Sequence, residues 1–287
     1  MIDNEKKYVL VTGATGQLGS DIVKELTKRE IHTIGIGSRD LDITDSEAVF
    51  NFFNSFKFSH VIHAAAYTKV DKAQDERDLN YEINVRGTEN IVSGCYKYSI
   101  PMTYFSTDYV FGGDGDRPYR EDDEKNPLCE YANAKLQGEE LVKKLNEYFI
   151  FRISWVFGKN GTNFINTMLK LSETKKELRV VSDQIGSPSY TVDIAKEVVD
   201  VIKSKKYGIY HLTNEGYVSW ADFARKIFDM TKKDVKVYDI TTEEYNAKAK
   251  RPKNSRLSKE KLYSEGFSKM PTWDDALNRY LKEINVI

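Results

Sequence analysis

The stretch "YVLVTGATGQLGSDIVKELTKR", residues 8–29, passes from an unbroken apolar run through three glycines into a segment with apolar residues at Ile22, Val23 and Leu26. That succession reads as strand, tight turn and helix, because the last three positions fall on one face of a 3.6-residue period. Gly13, Gly16 and Gly19 then stand where each has a physical task. The first permits the turn out of the strand, the second lets backbone N–H groups approach a pyrophosphate, and the third allows close packing of the helix. A glycine motif alone is weak evidence. Set between a strand and a helix, it points to a dinucleotide held at the positive end of the helix dipole. Thr15, Gln17 and Leu18 complete the loop expected to wrap the cofactor.

The same alternation recurs outward from this stretch. Strands are expected at 31–36, 60–65, 102–106 and 148–154, with helices near 45–57, 78–98 and 131–147. Strands alternating with helices imply parallel pairing through right-handed crossovers, hence an α/β fold with a Rossmann-type doubly wound parallel sheet. A helix at about 191–203 and a sixth strand, "GIYHLT" (208–213), extend it. Beyond Thr213 the regularity changes: "SWADFARKIFDM" (219–230) opens a helix with Ser219 as N-cap, and "RPKNSRL" (251–257) precedes an amphipathic C-terminal helix. The expected division is a dinucleotide-binding unit of 1–154 plus about 191–213, and a smaller mixed α/β substrate unit of about 155–190 plus 214–287. The segment "GGDGDRPYREDDEKNP" (112–127) is too rich in Gly, Asp and Pro for regular structure.

At 287 residues the chain is near the size at which one core divides into two. Charged residues make up 30% and nearly cancel, to a net charge of -1, so the overall balance carries no electrostatic footprint for nucleic acid or an anionic membrane. Cys95 and Cys129 match neither a disulfide framework nor a metal-ligand spacing, which fits a reducing compartment. The charged N-terminus enters a strand without a signal-type apolar segment, and no run of about eighteen apolar residues occurs. The expected location is cytoplasmic.

The GxxGxxG spacing resembles that of the short-chain dehydrogenases, which implies a nicotinamide cofactor. An NAD-selective site carries a carboxylate after the second strand, about twenty residues on. Here "IGIGSRDLDITD" (34–45) places Ser38 and Arg39 ahead of the first acid, Asp40, a pair suited to a 2′-phosphate. NADPH is therefore favoured over NADH, with dual use open; the alternative for Arg39 is a solvated loop charge. Asp42 and Ile43 resemble the adenine-side contact of the extended members. "HAAAYTKVD" (63–71) ends the third strand, where Ala64, Ala65 and Ala66 are small enough to let a dinucleotide lie against the backbone, and Thr68 and Val70 face the crevice. Asn84 and Asn90 in "INVRGTEN" (83–90) serve either the site or helix packing.

Tyr131 and Lys135 in "YANAK" (131–135) are four apart at the start of an expected helix, so both project from one face. A phenol with an ordinary pKa of about 10 is a poor acid–base group at neutral pH, and a neighbouring ammonium is expected to lower it. Tyr131 and Lys135 are also expected to bind the cofactor, Lys135 at the nicotinamide ribose. Thr107, at the end of the fourth strand in "STDYVF" (106–111), would orient a substrate oxygen. These residues describe a carbonyl reductase of unspecified substrate.

With "GATGQLG", "AAAYTKVD", "STDYVF", "YANAK", "RISWVFG", "DQIGSPSY" and "RPKNSRL" in this order, the chain resembles the dTDP-4-dehydrorhamnose reductases from end to end. The resemblance implies NAD(P)H-dependent reduction of the C4 ketone of dTDP-4-dehydro-6-deoxy-L-mannose. Tyr131 would be the acid, with Lys135 and Thr107 beside it, and Thr68, Val70, Thr107, Asp108, Trp155 and Arg251 would face the nucleotide sugar. Lys253 and Arg256 are further candidates for its diphosphate. Two departures stand out. Ala132 follows the tyrosine where the family often has glycine. Some members dimerise through magnesium held by acids; Asp21 offers one, but Val192 stands at the other place with Asp193 adjacent, which counts against magnesium and leaves a monomer or weak homodimer. The rival readings are a nucleotide-sugar epimerase or dehydratase, or a non-catalytic subunit resembling that of methionine adenosyltransferase. Dehydratases of this superfamily carry Thr-Asp-Glu at the fourth strand, and Tyr109 stands where the Glu would be.

Overall fold

Six parallel strands run through the centre of the chain: β1 (Lys7–Thr12), β2 (Thr33–Ile36), β3 (Lys57–His63), β4 (Met102–Thr107), β5 (Tyr148–Ile153) and β6 (Gly208–His211), in the order β6-β5-β4-β3-β1-β2. The structure is a computed structural model that describes residues 6–287; residues 1–5, part of the charged N-terminus, lie outside the described residues. Near-continuous apolar runs form these strands because both faces of the sheet are covered. Helices α1 (Gln17–Lys28) and α5 (Thr191–Ser204) cover one face, with Ile22 and Leu26 packed beside Ile194 and Val198. On the other face lie α2 (Ser46–Ser55), α3 (Gly87–Tyr98) and α4 (Glu130–Val142), contributing Phe53, Ile91 and Val142. The expected Rossmann-type sheet, including its sixth strand, is present.

The chain leaves β1 towards β2 on one side and returns to β3 on the other. A crevice opens at such a reversal, outside the carboxyl ends of the two strands. The glycine loop follows β1 and the alanines follow β3, so the strand order itself brings them together.

A second body of packing surrounds Phe157, Phe223, Ile227, Leu277 and Tyr280. Its helices are Phe164–Ser172, Trp220–Met230 and Trp273–Glu283, and its strands Glu177–Val181 and Lys236–Ile240 pair in parallel. Ser219 caps its helix by accepting the Asp222 N–H at 3.0 Å. Leu262 and Met270 instead pack into the core beside α1 and α5, so this stretch of the C-terminal segment returns to the sheet. The expected single helix over 78–98 is Arg77–Tyr81, a wider turn at Glu82–Arg86, and α3.

Candidate active site

Two adjoining cavities fill the crevice. One of about 420 Å³ is lined by the glycine loop, Ala64–Ala66, Thr68, Val70, Thr107, Asp108, Tyr131, Lys135, Trp155 and Trp220. The other, of about 370 Å³, is lined by Thr15, Ser38, Asp42 and Ile43, and shares Gly13, Gly16 and the three alanines with the first. Gly13 sits at φ +67° with Ala65 N only 2.6 Å from where a Cβ would be, so only glycine fits between the strand ends. Gly16 caps α1 with no side-chain bond, and the first turn holds no acid. The free N–H groups of that turn suit an anion, and two joined cavities on either side of the glycine loop suit the two halves of a dinucleotide. These residues fit the nicotinamide cofactor expected of them.

Arg39 is exposed and outside the lining of both cavities. Asp40 accepts the Gly37 N–H at 2.8 Å, so the first acid after β2 closes its own turn.

Chemistry concentrates where β4 ends. Thr107 Oγ1 donates to Asp108 Oδ1 at 3.1 Å and accepts the Tyr109 N–H at 3.2 Å. Tyr131, in the first turn of α4, meets the Tyr109 ring edge-on at 6.3 Å. Lys135 is buried one turn further on, its Nζ 4.0 Å from the centre of the Tyr104 ring. Burial pushes the Lys135 ammonium down to about 7, opposed by the Glu139 carboxylate. The lowering expected for Tyr131 is not found: burial and the Asp108 carboxyl hold its phenol above the ordinary range, opposed only by a hydrogen bond with Thr107. A protonated phenol is the form that can act as an acid. Asp108 is itself pushed up to about 7 by burial, opposed by hydrogen bonds to Ser255 and Thr107, and its Oδ2 has no partner.

Trp155 adopts a left-handed φ of 46° and stacks on Trp220 at 3.5 Å, with Gly186 leaving room for its indole. Trp220 is a cavity residue that sequence reasoning missed, having read its segment only as a helix start. Gln17 lines the cavity and its amide reaches across the crevice: Oε1 accepts the Gly158 N–H at 3.0 Å. Arg251 lies outside the lining, paired with Asp71 at 2.6 Å. Lys253 bridges Asp183 and Glu243, and Arg256 donates to Asn254. Asn84 holds the loop after β3 through the Tyr67 N–H and C=O, and Asn90 donates to the carbonyls of Ile43 and Thr44. Both asparagines thus shape the site from behind. Asp21 is engaged by Lys24 and Thr191, and Asp193 by Arg279 and Asn214.

Residues 7–286 match the family described as RmlD substrate binding domain. The chain belongs to that family. A spore coat polysaccharide biosynthesis protein, SpsK, of Bacillus subtilis is 41% identical over 96% of this chain and 97% of its own. A dTDP-4-dehydrorhamnose reductase of Clostridium acetobutylicum superposes with a TM-score of 0.94 at 43% identity, covering 97% of this chain and 99% of that one. The dTDP-4-dehydrorhamnose reductase of Bacillus anthracis, solved in complex with NADP, gives the same TM-score at 41% identity and the same coverage. Among the described residues of this RmlD-family chain, no helix is long and apolar enough to cross a membrane.

Proposed function

We propose that this crevice carries out the NAD(P)H-dependent reduction of the C4 ketone of dTDP-4-dehydro-6-deoxy-L-mannose, yielding dTDP-L-rhamnose for cell-surface polysaccharide. The observation that carries the reading is the meeting of Thr107, Tyr131 and Lys135 in the cavity that the glycine loop also lines. A bound nicotinamide supplies the hydride for the ketone carbon. Tyr131 supplies the proton: its neutral phenol donates to the carbonyl oxygen as negative charge develops there. Thr107 turns its single hydroxyl proton from Asp108 to the same oxygen, donating a second hydrogen bond to it. The Lys135 ammonium stabilises the phenolate left on Tyr131. Thr68, Val70, Asp108 and the stacked Trp155 and Trp220 bound the space for the sugar and nucleotide. Arg251 reaches the substrate diphosphate by exchanging its pairing with Asp71.

Gly13, Thr15, Gly16, Gln17, Leu18, Gly19 and Ala64–Ala66 hold the dinucleotide, with Asp42 and Ile43 at its adenine end. NADPH is the preferred form. Ser38 lines the ribose-side cavity next to Arg39, while the carboxylate of Asp40 is occupied by its own turn. The separate packing around Phe157 and Phe223 supports a substrate unit distinct from the sheet. The internal engagement of Asp21 and Asp193 supports a monomer or weak homodimer over a magnesium-linked one.

A paired assay tests this reading. Given the 4-keto-6-deoxy-L-sugar nucleotide, the protein should oxidise one NADPH per ketone reduced, and NADH more slowly. Tyr131→Phe should keep NADPH binding and lose about 10²–10⁴-fold in turnover. Absence of net cofactor oxidation would remove the reductase reading in favour of an epimerase or a binding protein.

A further inference from the structure

Tyr104 lies within β4 with no exposed surface, and the Lys135 ammonium sits over the face of its ring, 4.0 Å from the ring centre. Its hydroxyl donates to the Lys135 carbonyl at 3.3 Å. A Cβ at position 138 would come within 2.1 Å of that hydroxyl oxygen. Gly138, which weakens the interior of α4, is therefore the residue that admits the phenol. The ring is fixed at both ends, by the strand and by the helix it touches.

The other groups around this ammonium give it little unshared negative charge. Glu139 is one turn away on α4, but Arg152 from β5 holds both of its oxygens, at 2.9 and 2.8 Å. His63 from β3 stacks on Tyr104 at 6.0 Å and is neutral, pushed down to about 3 by burial and by Lys135 itself. Tyr131 is held protonated. A cation enclosed in this way is stabilised by the negative face of an aromatic ring, and more so as water is excluded.

We infer that Tyr104 is a positioning residue for the reaction, its ring face keeping the Lys135 side chain cationic and directed into the crevice. The inference rests on the reductase reading, in which Lys135 acts as an ammonium. Burial, opposed by Glu139, already brings that ammonium down to about 7, so weakening the ring face that it sits on would shift it further towards the neutral amine. Gly138, one turn along from Lys135, leaves room first for the Tyr104 hydroxyl, at 2.1 Å from a Cβ, and then for the Asn84 carbonyl at 3.3 Å.

The test keeps the volume of the ring and changes its electrostatics. In the full-length chain, Tyr104 is replaced by phenylalanine and by successively fluorinated phenylalanines, which weaken the ring's negative face. Two quantities are read against pH: NADPH-dependent ketone reduction, and NADPH binding by fluorescence. Tyr104→Phe should leave the high-pH limb of both profiles in place. Fluorination should move the limb stepwise to lower pH, by about one unit in all, a tenfold change in the ionisation constant. A limb that stays fixed across the series, or one that moves as far in Tyr104→Phe as in the most fluorinated variant, would overturn the inference. If the parent protein reduces no ketone, the function reading fails, while the NADPH-binding limb still decides the role of Tyr104.

Discussion

Glu139 of α4 and Arg152 of β5 face each other with no exposed surface on either side chain, joined through two parallel N–H···O bonds. The remaining guanidinium nitrogen donates to the Glu121 carbonyl at 2.9 Å and lies 3.4 Å from His211 Nε2. One buried cation thus ties together α4, two strands and the irregular 112–127 segment. Such a pair adds little net stability over apolar residues, but removing one partner strands the other charge. Glu139→Leu alone should cost about 3–5 kcal/mol. Glu139→Leu with Arg152→Met should recover most of that, less about 1 kcal/mol for the unpaired Glu121 carbonyl. Urea denaturation of the single and double variants checks this; a double variant as unstable as the single would make the pair a net stabiliser.

Asp108 imposes the opposite balance. Its carboxyl is pushed up to about 7 by burial, and Oδ2 finds no partner. Between the ordinary carboxylate value of about 4 and that raised value, the folded chain holds a proton that the unfolded chain has lost. Stability contributed at this site is therefore present below pH 4 and declines as pH rises to 7, by at most about 4 kcal/mol. Asp108→Asn should be more stable than the parent at pH 8 and equal to it near pH 4, while losing turnover. Denaturation midpoints at the two pH values decide the matter: a gain of equal size at both would show that packing, not ionisation, is responsible. Destabilised polar groups are tolerated where a substrate will satisfy them, and Asp108 lines the cavity.

What could be read in the sequence was whatever local order determines. Gly13, Gly16 and Gly19 gained meaning from the strand and helix beside them, and Tyr131 and Lys135 from helical spacing after the fourth strand. Contacts between distant segments were hidden for the same reason. Trp220 reaches from the helix Trp220–Met230 to Trp155 in the bend after β5, and Arg251 meets Asp71 from 180 positions away. Nothing in the neighbourhood of either residue encodes such partners. Leu262 and Met270 return to the sheet's core although the surrounding segment belongs to the second body. The pKa of Tyr131 followed the same rule: adjacency to Lys135 was visible, whereas burial and the Asp108 carboxyl were not. Gly138 was visible and passed over, although a glycine inside a helix is a direct sign of a close neighbour.

Gln17 offers a separation of charge from architecture. Its Oε1 accepts the Gly158 N–H at 3.0 Å and the Asn163 amide at 3.2 Å, and its Nε2 donates to the Thr162 carbonyl at 3.3 Å. Gln17→Ala leaves the Gly158 N–H without its acceptor and should cost about 1–3 kcal/mol of stability, with NADPH affinity only slightly reduced. Gln17→Glu keeps the acceptor and adds a negative charge at the N-terminus of α1, where the helix dipole favours it. The Thr162 carbonyl loses its donor, so the stability of this variant should lie between those of Gln17→Ala and the parent. NADPH affinity should nevertheless fall by about tenfold, because the new carboxylate competes with the pyrophosphate for the same positive end, and the deficit should shrink as salt screens the repulsion. Fluorescence titration at low and high ionic strength measures it. If Gln17→Glu binds NADPH as tightly as the parent at low salt, the pyrophosphate does not lie at this end of α1.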